Sequence, residues 1–282
     1  MNKDNLIMIR LYQAKWAGRR FDGKASAKIA KDAGAAPDTV RANKLIVPEA
    51  VIKPTNLHWG MMKKWFYEQT SPFYDTGWRV RPMHDFLMFR KEYTQYKDEA
   101  EKLVNTLINT TYPEAVANAE ARMGDLYNSA NYPNPEDLRD CFEIEIDLQQ
   151  IPAITHNWLT KLDEESKIIV DNTTKKAETN VAQEPWLRFF KPLNRLQSAL
   201  STRVGEKGSV FKNSTVETLP TICDTAVSIA VDPNDTDLQD AVYKIRNDIA
   251  VADTKKLRTE AAYRAFVLRQ ITNVLKIVKN NI

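Results

Sequence analysis

Three histidines and two cysteines are the residues best placed to bind a metal or attack a substrate in this 282-residue chain: His58, His84, His156, Cys141 and Cys223. A zinc site needs three or four Cys, His or carboxylate ligands, two of them usually close in sequence. No two of these five are so placed. Nucleophilic chemistry by a thiol needs a base within hydrogen-bond reach, and no histidine stands near either cysteine in sequence. His58 falls in an amphipathic segment and His84 and His156 at helix starts, where a histidine serves surface or packing roles. Carboxylate pairs such as Asp163–Glu164 and Glu143–Glu145 read as solvated faces rather than acid–base machinery. There is no phosphate-binding glycine loop, nucleophile elbow or kinase signature. The expectation is a protein that is not an enzyme and has neither cofactor nor metal.

Two stretches remain that could bind something. The first is basic: Lys15, Arg19, Arg20, Lys24, Lys28 and Lys31 accumulate with Trp16 and Phe21 among them. Cations can grip a phosphate backbone and aromatic rings can stack a base, although rings also suit helix packing. The second is the loop Thr70-Ser-Pro72-Phe73-Tyr-Asp75-Thr-Gly77-Trp78-Arg79. Its Pro, Asp and Gly specify a turn, yet its large aromatics stand where loops are usually polar. The rings either plug the core or meet a partner, and the plug is the expected role because an aromatic side chain buries a large apolar area.

Charge is distributed unevenly. Residues 1–64 carry 13 basic against 5 acidic side chains, whereas 98–148 carry 12 acidic against Lys102, Arg122 and Arg139, in a chain of net charge +3. Such asymmetry means either a basic arm for nucleic acid or two complementary faces that meet within one molecule or between subunits. The near-neutral total favours the second. Apolar residues at 43% and charged residues at 27% lie near the globular average and suggest neither disorder nor a membrane protein. Two distant cysteines, and an N-terminal apolar stretch too short for a signal peptide or a membrane span, point to the cytoplasm.

The elements that must position these residues are mostly helical. Only 8 glycines are present, which disfavours many tight turns. Phe86, Phe89, Tyr93, Tyr96, Ala100, Leu103 and Leu107 alternate spacings of three and four and predict a long helix from Met83 to Thr110, broken at Tyr112-Pro113. A shorter helix follows through Leu126, making a helical hairpin. Trp186, Phe189, Leu193, Leu196 and Leu200 repeat the spacing after a polar stretch, Asp171–Gln183, that is either exposed helix or linker. Leu257, Ala261, Leu268, Ile271, Leu275 and Val278 mark a terminal helix whose apolar face Arg264 interrupts. Asp235 or Thr236 caps a helix running to Arg246. Phe142, Ile144, Ile146 and Leu148 alternate with polar residues at period two and predict a strand. Its expected partner is Trp78–Arg81. The fold class expected is thus mainly α, long antiparallel helices in a hairpin or bundle with a small two-stranded β-ribbon. The regions are 1–64 (basic, helical), 65–155 (hairpin with ribbon) and 156–282 (helical bundle).

Several of these features occur in an order seen elsewhere. A basic stretch ending in Ala30-Lys-Asp-Ala-Gly-Ala35 precedes the Thr70–Arg79 loop, then Met123-Gly-Asp-Leu-Tyr127, Tyr132-Pro133 and Phe142-Glu-Ile-Glu-Ile. This resembles a family of phage and mobile-element proteins called domain of unknown function 3150, whose loop reads Thr-x-Pro-Trp-x-Asp-x-Gly-x-Arg, with Phe73 here where tryptophan is common. The resemblance covers roughly residues 25 to 220. It implies no catalytic residues. Because some members resemble gene neighbours of MoxR-type ATPases and von Willebrand-type domain proteins, it also implies a part in a multiprotein machine. The leading expectation is a non-enzymatic helical scaffold of phage or mobile-element origin that acts through protein contacts and self-associates. The alternative is a DNA-associated accessory protein using the basic N-terminal region.

Overall fold

The structure is a computed structural model that describes residues 5–73, 77–151, 161–202 and 204–282. Its strands are β1 (Leu6–Ala14), β2 (Arg19–Phe21), β3 (Asn43–Leu45), β4 (Ser71–Pro72), β5 (Arg79–Pro82) and β6 (Glu143–Gln150). The longer helices are α1 (Gly23–Asp32), α2 (Glu49–Glu68), α3 (Phe86–Thr106), α4 (Glu164–Ser201), α5 (Leu219–Ile229), α6 (Thr236–Lys244) and α7 (Ala261–Asn280). The mainly α class is observed. The sheet is larger than a ribbon, because β4, β5, β1 and β6 lie side by side in that order. Residues 79–82 and 143–150 are both strands, but β1 stands between them, and Leu6–Ile9 pair antiparallel with Pro82–Arg79. A second, separate pair joins β2 to β3.

The helix from Met83 does not break at Tyr112-Pro113. A π-turn over Leu107–Thr111 carries it on, with the Tyr112 amide donating to the Leu107 carbonyl, into a helix Tyr112–Ala117. Pro113 has no N–H to give to the continuous helix, and the π-turn that stands directly before it is where the regular hydrogen-bond ladder gives way. The polar stretch Asp171–Gln183 is helix, part of the 38-residue α4, which Asp163 caps by accepting from the Ser166 amide. Asp235 likewise caps α6 through the Leu238 amide.

The chain forms two compact units, each assembled from separated stretches: residues up to Arg10, Tyr67–Leu87 and Leu148 onward in unit 1, and Leu11–Phe66 with Met88–Asp147 in unit 2. Neither unit follows the consecutive 1–64, 65–155 and 156–282 regions.

Unit 1 holds two cores. In one, the predicted seam of α4 (Trp186, Phe189, Leu193, Leu196, Leu200) packs with Leu219 and Cys223 of α5, Leu238 of α6 and Val267, Ile271, Val274 and Val278 of α7. Arg264, which interrupts the apolar face of α7, is buried and donates to the carbonyls of Leu200 (2.9 Å), Leu257 (2.9 Å) and Thr202 (3.0 Å), and also to Ala199. The Ala199 and Leu200 carbonyls are among the last of α4, which have no partner within the helix, and Thr202 is its C-cap. The other core joins Leu6, Met8, Phe73, Val80, Ile151, Ala177 and Val181.

Unit 2 is held by aromatic contacts. Trp65 stacks on Phe89 with ring centroids 4.9 Å apart, and Trp59 meets Phe142 edge-on at 5.8 Å. The Tyr93 hydroxyl of α3 donates to the Ile144 carbonyl at 3.3 Å, so the side chain acts on the backbone of β6, an outer strand of the sheet. No helix among the described residues is long and apolar enough to cross a membrane.

Candidate nucleic-acid interface

The six cations singled out in the sequence fall on one small module of unit 2. After β1 the chain turns at Gly18, whose φ of 64° is in the region that favours glycine, and runs through β2 into α1. Asp22 starts the helix, its carboxylate accepting from the Ala25 amide at 2.9 Å, the side-chain cap that satisfies an otherwise orphaned donor. The chain returns through β3 with Arg19 opposite Leu45, Arg20 opposite Lys44 and Phe21 opposite Asn43. Ser26 and Ala30 bury one face of α1. Ser26 ties the module together, donating to the Asp22 carbonyl at 2.7 Å and accepting from the Ala42 amide at 2.9 Å.

The module is anchored from the rest of unit 2. Arg122 donates to the carbonyls of Leu45 (2.8 Å) and Ile46 (2.6 Å), and the Tyr132 hydroxyl also reaches Ile46 at 3.2 Å. Lys44 pairs with Asp22 at 3.9 Å and donates to the Leu126 carbonyl at 2.8 Å.

What this anchoring leaves outside is mostly cationic, with Asp32 and Asp38 as its exposed carboxylates. Lys24, Lys28 and Lys31 follow one another at the i, i+4, i+7 spacing of a single helix face, opposite the buried Ser26 and Ala30, and all three are exposed. Lys15, Arg19 and Arg20 are exposed as well. Among the described residues none of these six side chains is ion-paired. The exposed carboxylates Glu101, Glu143 and Glu145 of the acidic stretch are also in no ion pair among the described residues. These six cations and three carboxylates therefore do not neutralise one another among the described residues.

Of the two aromatics interleaved with the cations, the structure keeps one for packing. Trp16 meets Tyr112 edge-on, centroids 5.6 Å apart, and the Tyr112 hydroxyl donates to the Pro133 carbonyl at 2.7 Å. Phe21 is 54% exposed, with the Arg41 guanidinium 5.2 Å from its centroid. Sequence reasoning missed Arg41, because only the β2–β3 pairing brings it to Phe21.

The aromatic loop belongs to unit 1. Thr70 is buried, Pro72 lies in β4 and Phe73, 2% exposed, fills the sheet core. Gly77 has φ 84°. Trp78 is half-buried against the same core with Arg10 over its ring at 5.1 Å. Arg79 donates to the Thr70 hydroxyl at 2.6 Å and to the carbonyls of Thr70 (2.5 Å) and Tyr67 (3.2 Å). Burial pulls its pKa below the ordinary arginine value, against the pull of Glu184. Asp75 lies outside the described residues, as does His156.

The remaining candidates for chemistry are apart from one another. The His58 ring bonds to the Tyr96 carbonyl at 2.8 Å within the aromatic packing, and His84 is exposed in a short 3₁₀ turn. Cys141 is exposed, whereas burial pushes the Cys223 thiol up to about 11. The described residues contain no group of three His, Cys, Asp or Glu able to hold a metal ion. Comparison of the chain with protein-family models, curated proteins and solved structures finds no match.

Proposed function

We propose that the protein is a non-enzymatic binding protein that contacts the phosphate backbone of a nucleic acid through the β2–α1 module. The observation that carries this reading is the set of six exposed cations on one anchored module with no ion-pair partner among the described residues. Like charges held together cost self-repulsion, and a polyanion relieves it while releasing its own condensed counterions.

The test is binding of labelled DNA across a salt series. Six phosphate contacts give a slope of log K against log salt of about −4 to −5. Replacing Lys24, Lys28 and Lys31 by Gln should reduce that slope by about 2 to 3. All three are exposed, so the variant should fold as the parent does. No binding at low salt, or a slope unchanged in the variant, overturns the reading.

A second reading, contact with a protein, draws on a different feature of unit 2. Between β6 and α3 runs a groove of about 360 Å³ with Trp59, Val104 and Phe142 in its lining, together with Glu101, Glu143 and Glu145 and the cations Lys97 and Arg139. An apolar floor whose rim carries three carboxylates against two cations suits a protein segment with apolar and basic side chains. In this reading the chain is a self-associating scaffold of phage or mobile-element type, in an assembly that includes a MoxR-type ATPase as the family resemblance implies. Sedimentation of the protein before and after Glu143→Lys and Glu145→Lys tests it. Unchanged self-association in the double variant removes the groove from the argument.

A further inference from the structure

We infer that the ligand of the β2–α1 module is single-stranded nucleic acid, and that Phe21 with Arg41 is the platform on which an unpaired base stacks. The inference rests on the proposed contact with a phosphate backbone and adds to it what the backbone contact alone does not decide. The two faces of the β2–β3 ribbon have opposite characters. Residues paired directly across an antiparallel ladder share a face, and alternate residues along a strand change face. The pair Arg20 and Lys44 therefore lies on one face, and Lys44 is tied down by Asp22 and the Leu126 carbonyl. The pairs Arg19–Leu45 and Phe21–Asn43 lie on the other, and all four of these residues are exposed. Arg41, two residues before Asn43 and also exposed, reaches over Phe21 from the same side.

A single exposed apolar side chain is ordinary. Here the ring sits on a strand paired with β3, beside Arg19 in sequence order i, i+2, with a guanidinium over it and the lysine face of α1 beginning three residues later. The ring has no hydrogen-bonding group with which to read a base edge in a duplex groove; it offers a π-face. A base can use that face only when it is unstacked from its neighbours, as in a single strand. A ring flanked by cations that track the backbone is the combination by which single strands are held without sequence preference. Lys24 to Lys31 extends this cationic track about 10 Å along α1.

The experiment compares oligo-dT, oligo-U and a DNA duplex of the same length, each labelled, at matched salt, with the full chain and its Phe21→Ala, Phe21→Trp and Lys24/Lys28/Lys31→Gln variants. The expected result is tighter binding of oligo-dT or oligo-U than of the duplex. Phe21→Ala should weaken single-strand binding about fivefold or more while leaving the salt slope unchanged, because a stacked ring releases no counterions. Phe21→Trp should retain the affinity and show emission quenched when oligo-dT or oligo-U is added. The exposed position makes Phe21→Ala a variant that folds, which its circular dichroism spectrum verifies. Duplex bound as tightly as single strand, or an unchanged affinity in Phe21→Ala, overturns the stacking platform while the backbone contact survives if the lysine variant still lowers the slope. No binding of any of the three nucleic acids at low salt overturns both.

Discussion

The Arg264 guanidinium of α7 donates through Nε to the Leu200 carbonyl at 2.9 Å, at the point where α4 ends. Arg264 is 4% exposed, and all the partners recorded for it are backbone carbonyls. The cation is therefore stabilised by the negative end of a helix dipole. Truncation leaves those buried carbonyls without a donor. Arg264→Met should cost about 3 to 5 kcal/mol, read from a urea denaturation curve. Arg264→Lys should recover only part, because one ammonium cannot reproduce the guanidinium's fork of donors.

The aromatic loop separates into a buried ring and a half-buried one. Phe73→Ala should cost about 3 to 5 kcal/mol through lost burial and the cavity left behind. Trp78→Ala should cost less, about 1 to 3 kcal/mol, since part of the ring already faces solvent and Arg10. Among the described residues nothing lies within 4 Å of where a Gly77 side chain would start, so the penalty of Gly77→Ala is that of its positive φ, about 1 to 2 kcal/mol. Equal losses for Phe73→Ala and Trp78→Ala in parallel denaturant melts would contradict this division.

Tyr93→Phe removes a hydroxyl that donates to the Ile144 carbonyl of β6. The expected loss is about 1 to 2 kcal/mol. It should be accompanied by concentration-dependent association, because unpaired groups on an outer strand template pairing with another chain. Light scattering of the variant against the parent distinguishes this from simple destabilisation.

Alkaline pH should weaken unit 2 and the helical core of unit 1 together. Burial pushes the Tyr112 hydroxyl up to about 12, with Tyr132 adding to it, and pushes the Cys223 thiol up to about 11 against the opposing effect of Arg246. Burial raises Tyr93 as well. Each folded-state value lies above its unfolded value, so the unfolded chain loses these protons first. The associated stability is complete below the unfolded values, 9.0 for the thiol and 10.0 for the phenol, and is lost as pH rises through about 11 and 12. The Tyr112 share is on the order of 2 kcal/mol. Denaturation midpoints that stay level from pH 9 to 12 would contradict it.

The helices were legible where apolar residues recur at helical spacing, and the Trp186–Leu200 seam is buried as its periodicity implies. The strand β1 was not, because Leu6–Ile9 is a continuous apolar run. Such a run is ambiguous between an interior strand and other buried segments, and β1 is an interior strand with neighbours on both sides. Without β1, the Phe142–Leu148 strand had to be given to Trp78–Arg81. Arg264 looked like a flaw in an apolar face because its partners, the end of α4, are more than fifty residues away in sequence. The basic cluster could be read directly, since its members are close in sequence. Which ring accompanies it could not be, because Tyr112 claims Trp16 and Arg41 reaches Phe21 only through the tertiary pairing of β2 with β3.

The interleaving of the two units has a consequence for how the protein is made. Unit 2 is complete at Asp147, whereas unit 1 draws on the chain from Leu148 onward to close around α4 and α7. During translation the module with the unpaired cations has all of its residues roughly 10 s before the helical core does, at ordinary elongation rates. A ribosome-bound nascent chain therefore carries every residue of the cationic module near ribosomal RNA while α4 and α7 are still being synthesised.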